Sequence, residues 1–156
     1  TPYEDDPMAG DKGGIDLVMT FPKKMNTCVK GYVERYLRDT RLKPPHLLLI
    51  HCIGQREGIS QKELNDEVMF DKSYISNMVH ELIDMGLVSN DGSGKAHSLY
   101  LTDSGRDIQA MSQMMFELID RDLFTVLTDE ERNALDSIMR KLNRRVDEIL
   151  DELSKR

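Results

Sequence analysis

With 156 residues, the chain has room for one domain with helical extensions and a core of ordinary size. Its 39% hydrophobic and 31% charged residues describe a helix-rich globular chain, and no apolar run nears the ~18 residues that span a bilayer. Two cysteines, Cys28 and Cys52, are too few for a disulfide framework, and the acidic, polar start is unlike a secretory leader. A cytoplasmic protein with reduced thiols and no membrane partner is expected.

The net charge of -7 runs against nucleic-acid binding, because neutralising phosphates supplies most of that affinity. The charge is unevenly spread, however. Residues 23–43 carry Lys23, Lys24, Lys30, Arg35, Arg38, Arg41 and Lys43 against Glu34 and Asp39, a net +5, whereas residues 44–105 sum to -5.

In chain order, Thr1 to Gly14 mixes Pro, Gly and Asp without periodicity and is expected to be a disordered lead-in. From Pro22, suited to an early helical position, Met25, Cys28, Val29, Tyr32, Val33, Tyr36 and Leu37 repeat at three and four. They predict an amphipathic helix to about Leu42, stopped before Pro44 and Pro45. His46 to about Gln55 is too densely apolar for a surface helix and should be buried on most sides. Gly58 breaks it. Ser60-Gln61-Lys62-Glu63 then reads as a capping box opening a short helix that buries Leu64 and Val68.

Asp71 is placed to cap a further helix, Lys72 to Met85, with Ile75, Met78, Val79, Leu82 and Ile83 on its inner face and Gly86 as its stop. Leu87 to Asn90 and His97 to Leu101 alternate as two strands around the turn-forming Asp91-Gly92-Ser93-Gly94. Thr102-Asp103-Ser104-Gly105 opens a long helix with Ile108, Met111, Met115, Leu118 and Ile119 on one side. A second capping box, Thr128-Asp129-Glu130-Glu131, starts a last helix striped with Leu135, Ile138, Leu142, Val146, Ile149 and Leu153. That stripe needs cover, from a partner chain or from the chain's own first helix.

The middle of this order is a helix-turn-helix followed by a hairpin. In such a unit the second helix enters the major groove and its N-terminal side chains touch base edges. Lys72, Ser73, Tyr74, Ser76, Asn77 and His80 are its outward candidates, with Gln61 and Lys62 at the start of the preceding helix and Lys95 and His97 in the wing. The same residues would also suit the solvated face of an ordinary amphipathic helix.

Several pieces together resemble one family. Ser60-Gln61-Lys62-Glu63-Leu64, Asp71-Lys72-Ser73-Tyr74-Ile75-Ser76, Leu82 with Gly86-Leu87-Val88, and Leu101-Thr102 with Gly105-Arg106 are similar, in this order and spacing, to the core of the MarR (multiple antibiotic resistance regulator) family. The resemblance runs from about Leu42 to Arg106. It implies a mainly α fold with a small β-hairpin wing: a winged helix-turn-helix over 44–105, an N-terminal dimerisation helix region over 15–43, and C-terminal dimerisation helices over 106–156. It further implies a homodimeric transcription regulator, a repressor, that reads a pseudo-palindromic operator in double-stranded DNA and responds to a small aromatic or phenolic ligand.

The chain departs from the family at several positions. Ser89-Asn90 stands where an Arg usually follows the Gly-Leu-Val step, Ser93-Gly94-Lys95 replaces the wing's Asp-Arg-Arg, and Asn77 occupies a common Arg position. Minor-groove reading by a wing depends on Arg, so this wing is expected to add little. With the acidic balance of 44–105, these losses also leave open a winged-helix protein-interaction module with weak or no specific DNA binding.

No phosphate loop, nucleophile elbow or carboxylate pair suggests an enzyme, and no cofactor is implied. His51-Cys52 are helix neighbours about 100° apart with no second ligand cluster, so Cys52 reads as a small buried hydrophobe. Cys28, among Lys24, Lys30 and Arg35, reads as an interface thiol or a redox sensor. Met111, Met114 and Met115 are candidates to line an adaptable cavity, or else fill gaps in the core as methionines more often do.

Overall fold

The computed structural model describes residues 13–91 and 98–155. The lead-in over residues 1–12 and the wing residues 92–97, Lys95 and His97 among them, lie outside the described residues. Helical backbone begins earlier than Pro22: α1 (Gly13–Ile15) runs through a π-helical stretch (Asp16–Thr20) into α2 (Phe21–Leu37). Ile15, Leu17, Val18, Met19 and Phe21 are exposed along this start. The helix ends at Leu37 rather than Leu42, where Thr40 Oγ1 closes the turn on the Leu37 carbonyl at 2.9 Å.

α3 (Pro44–Gln55) is the centre of the core, with His46, Leu47, Leu49, Ile50, Cys52 and Ile53 all buried. Burial, followed by the nearby Glu67 carboxylate, pushes the Cys52 thiol up, which keeps it protonated and inert. His46 also ties helices together. Its Nδ1 accepts from the Lys43 amide at 2.9 Å, so Nε2 carries the hydrogen and donates to Glu81 Oε2 at 2.7 Å. The ring caps the start of one helix and anchors another, and it is only 1% exposed. His46→Ala removes both bonds, strands an amide and opens a void, at about 2–4 kcal/mol. The expected drop in unfolding midpoint is about 5–15 °C by calorimetry; a drop under about 2 °C would show that the ring is dispensable.

The Ser60 capping box is present: Ser60 Oγ accepts from the Glu63 amide at 3.1 Å, and Glu63 Oε1 accepts from the Ser60 amide at 3.3 Å. It opens α4 (Gln61–Val68), where Leu64 is buried. The hydrogen bond from the Ser60 amide, helped by Arg56, holds the Glu63 carboxyl below the ordinary glutamate range. Met69 closes α4 in a left-handed conformation (φ 57°), and α5 (Lys72–Asp84) follows at once. Asp71 is the N-cap of α5, but its carboxylate makes no capping bond; it accepts from Ser73 Oγ at 3.0 Å instead. Ile75, Met78, Val79 and Leu82 form the buried face, and Gly86 (φ 72°) turns the chain out.

The sheet has a third strand that the sequence pattern does not announce. β1 (Ile59–Ser60) pairs antiparallel with β3 (Ser98–Leu101), which pairs antiparallel with β2 (Val88–Asp91), giving the order β1-β3-β2. Ile59 sits opposite Leu99 and Val88 opposite Leu101, all four buried. Gly58 (φ 92°) donates to the Leu99 carbonyl at 2.8 Å and so leads β1 to the sheet edge.

The chain divides into two compact units after Phe116, within α6 (Asp103–Phe124). In the second, α7 (Asp129–Ser154) starts at the capping box of Thr128 and Glu131, with both reciprocal bonds at 3.1 Å. Arg132 braces the corner before it. Its guanidinium donates to both Asp120 oxygens at 3.0 and 2.9 Å and to Asp136 at 3.2 Å, and it lies 4.6 Å from the Phe124 ring centroid. The predicted stripe on α7 lies open: Ile138, Leu142, Val146, Ile149 and Leu153 are all exposed.

Candidate nucleic-acid interface

The buried apolar face of α5 fixes which side of that helix meets solvent. Lys72, Ser73, Tyr74, Asn77 and His80 are exposed together on that side, and Ser76 is half-buried beside them. Lys62 is exposed and Gln61 half-buried at the start of α4, one helix back. Eight of the ten residues singled out from sequence therefore fall on the two helices of the helix-turn-helix, while Lys95 and His97 lie outside the described residues. On β2, Ser89 and Asn90 are exposed and bring no positive charge to the wing.

One member of this surface has no counterpart among the sequence candidates. The Phe70 ring stacks edge-on against Tyr74, with centroids 5.5 Å apart and planes at 75°. Phe70 is 40% and Tyr74 38% exposed, and Met69 beside them is also exposed. The spacing of four residues hints at such a pair, but Phe70 lies before the helix, where periodicity carries no information.

None of these residues lines the cavity of about 1090 Å³ between α2, α3 and α6. Val29, Val33, Pro44, Leu48 and Phe116 give it apolar walls, and Lys43, His51 and Gln109 bring polar groups. α3 is thus buried on every side but one: exposed Leu48 and His51 turn to the cavity. The methionines do not line it. Met115 is buried in the core, Met114 is exposed, and α6 offers Gln109, Ser112, Gln113 and Phe116 instead. Cys28 is exposed on α2. Among the described residues, no three His, Cys, Asp or Glu side chains converge as metal ligands would, and no helix is long and apolar enough to cross a membrane.

This architecture defines a winged helix-turn-helix protein with long flanking helices. Residues 42–90 match the model of the MarR family. Solved structures share the fold well beyond it. A MarR transcriptional regulator from Methanosarcina mazei Go1 superposes with a TM-score of 0.79 at 15% identity, over 86% of this chain and 92% of that one. Streptococcus pneumoniae FabT in complex with DNA gives 0.72 at 16% identity, over 83% and 95%. A putative MarR family regulator from Listeria monocytogenes complexed with 26mer DNA gives 0.74 at 17%, over 83% and 88%. No curated protein sequence matches the chain.

Proposed function

We propose that this protein is a MarR-type transcription regulator that binds a pseudo-palindromic site in double-stranded DNA as a homodimer, with α5 as the reading helix. The observation that carries this reading is the single exposed face of α5 on which Lys72, Ser73, Tyr74, Asn77 and His80 stand together, the first three of them in its opening turn. Helix-turn-helix proteins direct that end of that helix at base edges. Structures of the same fold in complex with DNA support the assignment. Asn77 is the residue suited to a bidentate contact with adenine, Ser76 is a short adaptable partner, and Lys72 is suited to a phosphate. Gln61 and Lys62 are placed to position the backbone from α4.

The dimer reading is supported by the open apolar stripe of α7 and the exposed apolar residues from Ile15 to Phe21. The cavity suits a small aromatic or phenolic effector, with His51 and Lys43 for its polar end. Effector and reader would communicate through α3, which lines the cavity and holds α5 by the His46–Glu81 bond.

The test is a selection from random duplex DNA at low salt, followed by fluorescence anisotropy on the best site. A two-fold-symmetric site is expected, with Asn77→Ala weakening it by about 5- to 150-fold per half-site, the worth of one bidentate base contact in each. Enrichment of no site would overturn the assignment and favour a protein-binding module.

A further inference from the structure

Among the candidates on the reading face, Tyr74 is held in place by something outside α5. Lys72 is a long, flexible side chain at the first helical position. Ser73 spends its hydroxyl hydrogen on Asp71. Tyr74 instead carries a ring clamped by the edge-on Phe70 ring, and Phe70 comes from the turn between α4 and α5. That turn is itself set by the left-handed Met69. The clamp leaves 38% of Tyr74 open, on the third residue of the helix, where base edges are met.

A fixed aromatic ring is an uncommon tool for reading DNA, because most base-edge features are hydrogen-bond donors and acceptors. The major groove presents one apolar feature, the C5-methyl group of thymine. We propose that Tyr74 reads a thymine methyl by apolar contact and that Phe70 is the positioning residue that fixes its ring. This rests on α5 being the reading helix. Packed on Phe70, the ring has less freedom to lose on binding, so contact with the methyl is kept as discrimination between thymine and a base without it. The hydroxyl of Tyr74 is not required for that discrimination.

Replacing single thymines of the selected operator by deoxyuridine isolates the methyl, since base pairing and the other groove atoms are unchanged. With the full-length wild type, one thymine per half-site is expected to show about fourfold weaker binding as uracil, the worth of one buried methyl. Tyr74→Phe should keep that ratio and Tyr74→Ala should bring it to about one. Phe70→Ala should lower the ratio toward one, and Phe70→Tyr should restore it, while the salt dependence stays that of the wild type. A structural role for Phe70 alone would lower affinity on thymine and uracil sites alike and leave the ratio unmoved, which overturns the positioning role. An equal thymine-to-uracil ratio in wild type and Tyr74→Ala overturns the proposal with α5 still the reader. Loss of affinity in Tyr74→Phe, with a shallower salt slope, also overturns it and assigns the hydroxyl to a phosphate. A wild type that selects no site overturns the reading-helix assignment and this inference together.

Discussion

Gly105→Ala is expected to cost about 3–5 kcal/mol and to leave little folded winged domain at physiological temperature. Gly105 is the third residue of α6 and is buried where that helix crosses the end of α5 and the start of β2. A Cβ built there falls 2.1 Å from the Leu87 carbonyl oxygen and 3.1 Å from its carbon. Both are backbone atoms. That carbonyl already accepts from the Thr102 amide at 3.1 Å, and Thr102 Oγ1 donates to the Gly86 carbonyl at 2.6 Å while accepting from the Gly105 amide at 3.1 Å. The crossing is therefore locked by three hydrogen bonds within a few ångströms of the new methyl. To make room, α6 must retreat by about an ångström, which adds overpacking strain to the loss of bonds worth about 1 kcal/mol each. The higher helix propensity of alanine returns only about 1 kcal/mol. For a domain of ordinary stability the loss is a large fraction of the whole. Gly54→Ala is the matched control, since the three atoms nearest its Cβ all belong to the terminal amide of Gln109, which can swing aside. Urea unfolding of the two variants should give a midpoint far below wild type for the first and close to it for the second. Equal midpoints would mean that the α6 crossing tolerates a side chain.

What was legible in the sequence was what is decided locally. The capping boxes at Ser60 and Thr128 close within four residues, and both form with the expected reciprocal bonds. The inner face of α5 follows from its period, and the outer face, with most of the candidate site, follows by exclusion. What was not legible depends on contacts distant in sequence. β1 is two residues long and exists because β3, some forty residues on, offers it an edge; Ile59 alone is no strand signal. His46 is unremarkable as one of four scattered histidines, yet its ring is buried because Lys43 and Glu81 satisfy both nitrogens. Asp71 has the type of an N-cap, but Ser73 two residues later takes its carboxylate. The cavity was invisible because Leu48 and His51, on a helix that reads as buried throughout, face space left by α2 and α6. Phe70 was missed because a residue in a turn has no period by which to place it.

Leu142→Glu is expected to convert the proposed dimer to a monomer without unfolding the chain. Leu142 lies at the middle of the α7 stripe and is 50% exposed in the single chain, flanked along the helix by Ile138 and Val146, also exposed. The intervals from Leu135 through Ile138, Leu142, Val146 and Ile149 to Leu153 keep these residues on one face of a 26-residue helix. Apart from Leu150, the rest of the second half of α7 is charged or polar and exposed, so the stripe is its main apolar surface. Burying the open half of a leucine contributes about 1 kcal/mol, and two-fold symmetry counts it twice. A carboxylate in its place adds the cost of burying an unpaired charge on each side. Together these exceed about 4 kcal/mol, or roughly three orders of magnitude in the dimer dissociation constant. Sedimentation equilibrium at micromolar concentration should therefore give the dimer mass for wild type and the monomer mass for the variant, with unchanged helical circular dichroism. Leu142→Lys should do the same, because burial of charge and not its sign is at issue. On the selected operator both variants should lose the affinity that comes from engaging two half-sites at once, while single half-sites bind them and wild type alike. A variant that keeps the dimer mass would place the subunit interface elsewhere, with the exposed apolar surface from Ile15 to Phe21 on the N-terminal helix next to be tested.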